Sequence, residues 1–418
     1  MHKEDFSSES PGRLVTVGDL RRAFVPAPLP PKLAYGPRLV ATLSEADRVL
    51  GELAGLGRTL PNPYLLTRPF LRREAVLSSR IEGTRASLVD LYAFEAEPPL
   101  FGEPEQRDDV QEVRNYVRAL EHAIGRLGEL PISQRLLREM HAVLMEGVRG
   151  AQRDPGEFRR IQNWIGPPGA GMEDATYVPP PPAEIPHALG ALERYIHDDT
   201  GLPPLVDIAL VHYQFEAVHP FLDGNGRIGR LLITHMLIER DLLPEPLLYL
   251  SAYFERHRAA YYDHLLAVSQ KGEWEEWLLF FLRGVAAEAR DASRRAAKLF
   301  DLRESYRERF QREGARGNLL AAVNHLFANP VTGIGELARV LGVSFEAARR
   351  LELQRFGGHV FATPRPPPSS EGPRSFRGSC SRARSATSSG CRRLPGTRRS
   401  PSWRPPRWGS SDDGRARI

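Results

Sequence analysis

The sequence predicts a mostly α-helical protein with one small β-hairpin, and three observations lead there. Apolar residues recur at helical spacing through most of the chain, as in Phe70, Leu77 and Ile81. Helix start and stop residues bracket those runs, such as Ser44 ahead of Glu45–Leu50 and Gly83 after Ile81. Only residues 158–183 combine Gly and Pro at both ends with a β-branched and aromatic pair, Tyr177-Val178, which suggests a short extended strand.

Taken in order, Phe24-Val-Pro-Ala-Pro-Leu-Pro-Pro31 is an extended arm, because proline removes donors and fixes φ. Helical patterns follow at Leu43–Leu50 and Leu71–Glu82. The run Leu231-Leu232-Ile233 with Met236, Leu237 and Ile238 marks a further helix, and Tyr253–Asp263 continues the pattern. Residues 286–312 form a charged helical stretch. Beyond it, Ile334–Leu341, a Gly342 turn and a Ser344-capped second helix with Arg349 and Arg350 have helix-turn-helix spacing. A packing or dimerising helical pair fits those residues equally well.

The most informative segment is His219-Pro-Phe-Leu-Asp-Gly-Asn-Gly-Arg-Ile-Gly-Arg230. If it opens a helix, the N–H groups of Gly224, Asn225, Gly226 and Arg227 converge at a helix N-terminus, which favours an anion. Arg227 and Arg230 lie three apart and supply forked phosphate donors. Asp223 disfavours a bare phosphate, so a divalent cation between them is expected, and Mg2+ commonly takes one carboxylate plus phosphate oxygens. His219 is an imidazole able to accept a proton near neutrality. An EF-hand is excluded because position twelve from Asp223 is Thr234, and a Walker loop because Gly-Lys-Ser/Thr is absent.

These twelve residues resemble the signature of the Fic (Fic/DOC) family, His-x-Phe-x-Asp/Glu-Gly-Asn-Gly-Arg-x-x-Arg, at every specified position. The resemblance implies a Fic-type helical core that transfers AMP from ATP to a hydroxyl side chain of a protein, itself included. It implies His219 as base, Asp223 as Mg2+ ligand and residues 224–230 (Gly224, Asn225, Gly226, Arg227, Ile228, Gly229, Arg230) around the nucleotide. Arg230 would meet the γ-phosphate and Tyr262 would line the nucleoside pocket. The Doc-like phosphoryl-transferring branch carries Lys where this chain has Gly226, which favours nucleotidyl transfer. Upstream, Ser78-x-x-x-Glu82-Gly resembles the family's inhibitory motif, so that Glu82 would pair with Arg230 and hold the enzyme down. Residues 158–183 match the place of a hairpin flap that clamps the target by strand addition, with Tyr177 and Val178 at its edge. Two other functions share these residues: removal of AMP from a modified protein, and a DNA-binding regulator whose pocket senses nucleotide.

The expected organisation is an N-terminal arm and inhibitory helix region (1–100), a catalytic core (101–285), a helical linker with a winged-helix-like helix-turn-helix (286–362) and a disordered tail (363–418). The tail carries 13 arginines against Glu371, Asp412 and Asp413, a surplus larger than the whole-chain net charge of +5. Such a composition builds no core. Its onset where a wing should begin suggests a shifted reading frame or a misplaced gene end. The two cysteines, Cys380 and Cys391, both lie in this tail. No membrane-length apolar run and no signal-peptide pattern occur, so a cytoplasmic protein is expected. Expected partners are ATP, a hydroxyl-bearing protein target, a second copy in a homodimer, and DNA through residues 334–354.

Overall fold

The chain opens with a two-stranded antiparallel sheet, β1 (Gly12–Val17) against β2 (Arg21–Pro26), in a register that sets Gly12 opposite Pro26 and Val17 opposite Arg21. The computed structural model describes residues 3–18, 21–59, 63–96, 104–148, 154–167, 169, 171–312 and 317–355. The expected arm at Phe24 therefore begins as strand. Its Phe24 N–H donates to the Val178 carbonyl at 2.9 Å, and Gln214 donates to the Ala27 carbonyl at 3.0 Å.

The remaining elements among the described residues are helical. They are α1 (Pro37–Thr59), α2 (Tyr64–Ile81), α3 (Leu88–Ala96), α4 (Pro104–Gly125), α5 (Gln134–Leu144), α6 (Ile185–His197) and α7 (Pro204–Val218). After them come α8 (Asn225–Glu239), α9 (Ser251–Arg256), α10 (Arg258–Lys271), α11 (Trp274–Arg312), α12 (Gly317–Ala328), α13 (Ile334–Leu341) and α14 (Phe345–Arg355), with single-turn 3-10 segments at Lys3–Asp5 ahead of β1 and at Met172–Asp174 and Pro182–Glu184 between α5 and α6. The mostly α expectation holds.

Helix α7 is the axis of the core. Thirteen of its fifteen residues are buried, as required of a helix that is apolar on all sides. Pro204 starts it where the N–H would have no helical partner. It packs on α6, α8, α10, α11 and β2, and Trp277 of α11 donates its indole N–H to the Ala209 carbonyl. Around His212 the rings of Phe254, Tyr261 and Trp277 stack within about 6 Å, an arrangement that favours offset aromatic contact. Helix α2 lies on α4, α9 and α12. Its buried Glu74 accepts from the Tyr116 hydroxyl at 2.9 Å and from Ser251, which anchors α2 to α4 and α9.

The described residues of segment 158–183 form no strand ladder. One antiparallel bridge, Ile165 to Tyr177, holds it. Helix α13 ends at Gly342 (φ +62°), and the Ser344 hydroxyl accepts from the Ala347 N–H, so the expected turn and cap are present between α13 and α14. The expected wing and the arginine-rich tail lie outside the described residues. None of the described helices is long and apolar enough to cross a membrane.

Candidate active site

The last turn of α7, the loop 219–224 and the first turn of α8 place the signature at one end of a pocket of 540 Å³. His219 ends α7 in the left-handed region (φ +48°, ψ +60°), its N–H donating to the Phe215 carbonyl. A non-glycine residue there is strained and persists only where its surroundings hold it. Three neighbours do so. Asn225 accepts from the Phe221 N–H and donates to the Phe221 carbonyl, each at 2.8 Å. Buried Arg159 donates to the carbonyls of His219, Val218, Pro180 and Ile161. The His141 ring stacks on Phe221 with centroids 3.8 Å apart. Its Nδ1 accepts from the Gly156 N–H, so its Nε2–H donates to the Asp223 carbonyl.

His219 Nδ1 faces the Glu216 carbonyl at 3.3 Å. A carbonyl only accepts, so the proton sits on Nδ1 and Nε2 keeps its lone pair. Burial, with the nearby Arg159 charge, pushes the imidazole down to about 4, so it is neutral at pH 7.

On α8, residues 226 and 230 share the pocket face. Arg230 is 2% exposed at its side chain and is held from α2. Its Nε donates to Ser78 Oγ (2.8 Å), and its Nη2 to the Ser78 carbonyl (3.1 Å) and to Glu82 Oε1 (2.6 Å). Burial pushes the Glu82 carboxyl up, but the Arg230 charge and hydrogen bond, with Arg227 and His219, outweigh it and bring it below the usual range. Glu82 sits at the α2 C-terminus, and Gly83 (φ +101°) turns the chain away behind it. A Cβ at Gly226 would lie 2.3 Å from Glu82 Oε1, so only glycine leaves room for this pair.

Arg227 points the other way, toward Glu112 (3.5 Å) and Asp223 (3.6 Å), and its Nε and Nη1 are buried with no hydrogen-bond partner among the described residues. Asp223 is about one-third exposed, with Oδ1 accepting from the Gly224 N–H. No cluster of three acidic, His or Cys side chains occurs among the described residues. One half-open carboxylate beside donor-rich backbone suits a magnesium ion carried mainly by phosphate oxygens, not a protein cage.

Several expected contacts take another form. Ile228 is fully buried and Gly229 faces α7, where its carbonyl accepts from His212 Nδ1. The helical rotation thus turns both away from the pocket. The Asn225 side chain is spent on bracing Phe221, which leaves its backbone N–H, not its amide, for an anion. Tyr177 and Val178 offer no open edge. Tyr177 exchanges backbone hydrogen bonds with Ile165 and donates its hydroxyl to the Ala217 carbonyl, while the Val178 carbonyl accepts from Phe24. The exposed flank of that segment is instead Ile161, Trp164 and Ile165. The Tyr261-Tyr262 pair divides: Tyr261 is core, donating to His212 Nε2, and Tyr262 is 40% exposed on the pocket wall under Arg258.

No sequence pattern points to Arg159 or His141, which act on the loop from 60 and 82 residues away. Nor does one point to Glu216, three residues before His219. That carboxyl fills the space left by Gly229, its Oε1 has no hydrogen-bond partner among the described residues, and burial pushes it up to about 8.

A helical core around such a loop-helix signature defines a class, and comparison with known proteins identifies it. The Fic/DOC family model matches residues 131–237, and the Fic/DOC family N-terminal model matches residues 40–125. The chain thus carries a Fic/DOC N-terminal region followed by a Fic/DOC domain. Among curated relatives, the protein adenylyltransferase Fic of Drosophila grimshawi is 29% identical over 157 residues, 36% of this chain and 28% of that protein. The Drosophila ananassae protein of the same name is 30% identical over 127 residues, 30% of this chain and 22% of that protein. The matched region thus spans less than a third of these relatives. A Fic family protein from Desulfovibrio desulfuricans superposes with a TM-score of 0.54 at 21% identity, over 78% of this chain and 92% of that one. Fic-1 from C. elegans gives 0.50 at 20% identity, over 64% and 75%. At these identities the likeness shows the fold.

Proposed function

We propose that the protein is an adenylyltransferase that moves AMP from ATP to a Ser, Thr or Tyr hydroxyl of a protein, with itself among its substrates, and that Glu82 holds it in a resting state. The observation that carries this reading is the grip of Ser78 and Glu82 on Arg230 beside a complete set of reactive residues.

In the reaction, the target oxygen forms a bond to the α-phosphorus, and the bond from that phosphorus to the pyrophosphate oxygen breaks. The hydroxyl proton goes to His219 Nε2, whose lone pair the Glu216 carbonyl contact leaves free. Added phosphate charge raises the low basicity of this ring. The backbone N–H groups of residues 225–227, with the Arg227 guanidinium, neutralise the phosphates, so positioning and electrostatics do most of the catalytic work. Asp223 would hold Mg2+, which when bound supplies charge neutralisation on the phosphates. Arg230 would take the γ-phosphate once Glu82 lets go, and Tyr262 would cover the nucleoside. A target segment would lie along the exposed flank Ile161, Trp164 and Ile165.

The test is ATP labelled at the α-phosphate, with Mg2+, offered to wild type, Glu82→Gly and His219→Ala. Label on protein is expected to be strongest in Glu82→Gly and absent in His219→Ala. Equal labelling in wild type and Glu82→Gly sinks the resting-state reading, and no labelling in any of the three sinks the transfer reading.

A further inference from the structure

Away from the signature, a cleft of 670 Å³ opens between the helices that precede the core and the C-terminal helices. One wall is built from α2, α3 and α4, the other from α12 and α13. Its volume is that of a small-ligand pocket.

Its chemistry is unbalanced in a specific way. Arg68 and Arg72 sit one turn apart on α2 and so present like charges to the same side. Among the described residues, the ion pair of Glu95 is with Arg72, at 2.7 Å. The Arg68 guanidinium has neither a hydrogen-bond acceptor nor a carboxylate within ion-pair distance among the described residues, although it is half-buried. Burial and the neighbouring Arg72 charge pull its basicity down by more than the more distant Glu121 and Glu95 carboxylates and Tyr92 raise it. Arg114 lies over the Phe94 ring at 5.8 Å and also holds no carboxylate among the described residues. Tyr92 is 5% exposed, and its buried hydroxyl has no hydrogen-bond partner among the described residues. A buried donor left unpaired is costly, so native structures rarely keep one without a use for it. On the same wall stands Glu121 of α4, which forms no hydrogen bond or ion pair among the described residues and whose carboxyl burial pushes up against the pull of the Arg72 and Arg68 charges.

Unpaired guanidinium groups call for an anion, and planar forked donors suit phosphate oxygens. The carboxylates of Glu95, Glu121 and Glu336 in the same lining would repel a polyphosphate but accept from hydroxyl groups. We propose that this cleft binds a small phosphorylated, hydroxyl-bearing molecule of the sugar-phosphate class, its phosphate on Arg68 and Arg114 and its hydroxyls on Glu121 and Tyr92. The site is separate from the candidate active site and does not depend on the activity proposed for it.

The test is titration calorimetry on the full chain with ribose 5-phosphate, inorganic phosphate and ribose, using wild type, Arg68→Gln, Arg114→Gln and Arg230→Gln. Ribose 5-phosphate is expected to bind with a stoichiometry of one, more tightly than phosphate, while ribose gives no heat. Affinity should fall about tenfold or more in Arg68→Gln and in Arg114→Gln, the loss of one charge-assisted contact, and persist in Arg230→Gln. Arg114 is exposed, so its variant keeps the test valid if Arg68→Gln does not fold. Binding that survives both cleft variants, or that disappears in Arg230→Gln, places the anion at the signature and overturns the proposal. Absence of heat with all three probes, or ribose binding as well as its phosphate, overturns it too.

Discussion

Arg230 and Glu82 stand 148 residues apart in the chain and meet at 2.6 Å, with Ser78 accepting twice more from the same guanidinium. Three of its donor contacts are therefore committed to α2 and its C-cap, and Nη1, beside Gly226 on the pocket side, has no hydrogen bond among the described residues. Any anion that needs the Arg230 fork must compete with a carboxylate already in place.

Glu82→Gly should accordingly raise ATP-dependent labelling by roughly 10-fold to 100-fold, the equivalent of one charge-assisted hydrogen bond. Ser78→Ala removes a neutral acceptor and should give an increase of only about fivefold. Phosphor imaging of labelled protein reads both. An increase in Ser78→Ala equal to that in Glu82→Gly would mean that the carboxylate is not the controlling contact.

His219→Ala should lower transfer by about 10²- to 10⁴-fold, as loss of a general base does, and leave ATP affinity within a few-fold of wild type. The pocket residues that face the nucleotide stay in place, and the ring makes one weak contact of its own. Equilibrium binding of a fluorescent ATP analogue alongside the labelling assay separates the two effects. A parallel loss of binding would assign His219 to positioning.

Asn225→Ala should cost about 2–4 kcal/mol, because it strands a buried N–H and a buried carbonyl of Phe221 at once. Urea denaturation measures the loss. Transfer should drop as well, since the αL conformation of His219 depends on this brace. A change below about 1 kcal/mol, within the range of an ordinary surface substitution, would mean that Arg159 and His141 hold the loop by themselves.

Stability should peak near pH 6.5 and fall on both sides. Burial lowers His141, His219 and His235 to about 4 and His212 to about 3, from 6.5. Between those values the unfolded chain binds more protons, so this contribution is complete above pH 6.5 and is lost as pH drops toward 4. Glu216 works the other way. Its folded value of about 8 exceeds 4.5, so the folded chain binds the extra proton, and stability declines as pH rises through that window. Four histidines outweigh it below pH 6.5, and it acts against no histidine above. Thermal midpoints from pH 4 to 9 test this, and Glu216→Gln should remove the alkaline decline. A midpoint that keeps rising from pH 6.5 to 8 in wild type would be incompatible with a buried neutral Glu216.

The linear sequence was enough to locate the proposed base His219, the Asp223 carboxylate, the glycine-framed turn and the two arginines. A loop that opens a helix brings contiguous residues together by local geometry alone, and glycine and helix periodicity announce that geometry. The same holds for α2, whose capping Gly83 and i, i+4 pair Ser78 and Glu82 are local features. Tertiary packing decided the rest. The direction of each side chain around α8 depends on what surrounds it, so Arg227 turned to Glu112, Arg230 to α2 and Ile228 to the core. Neighbouring Tyr261 and Tyr262 went to different fates because α10 lies at the boundary between core and pocket. The edge expected at Tyr177 and Val178 was closed by the N-terminal β2, a partner more than 150 residues earlier in the chain. Arg159, His141 and Glu216 carry no local pattern, since a buried polar residue is specified by the groups the fold brings to it and not by its neighbours in sequence.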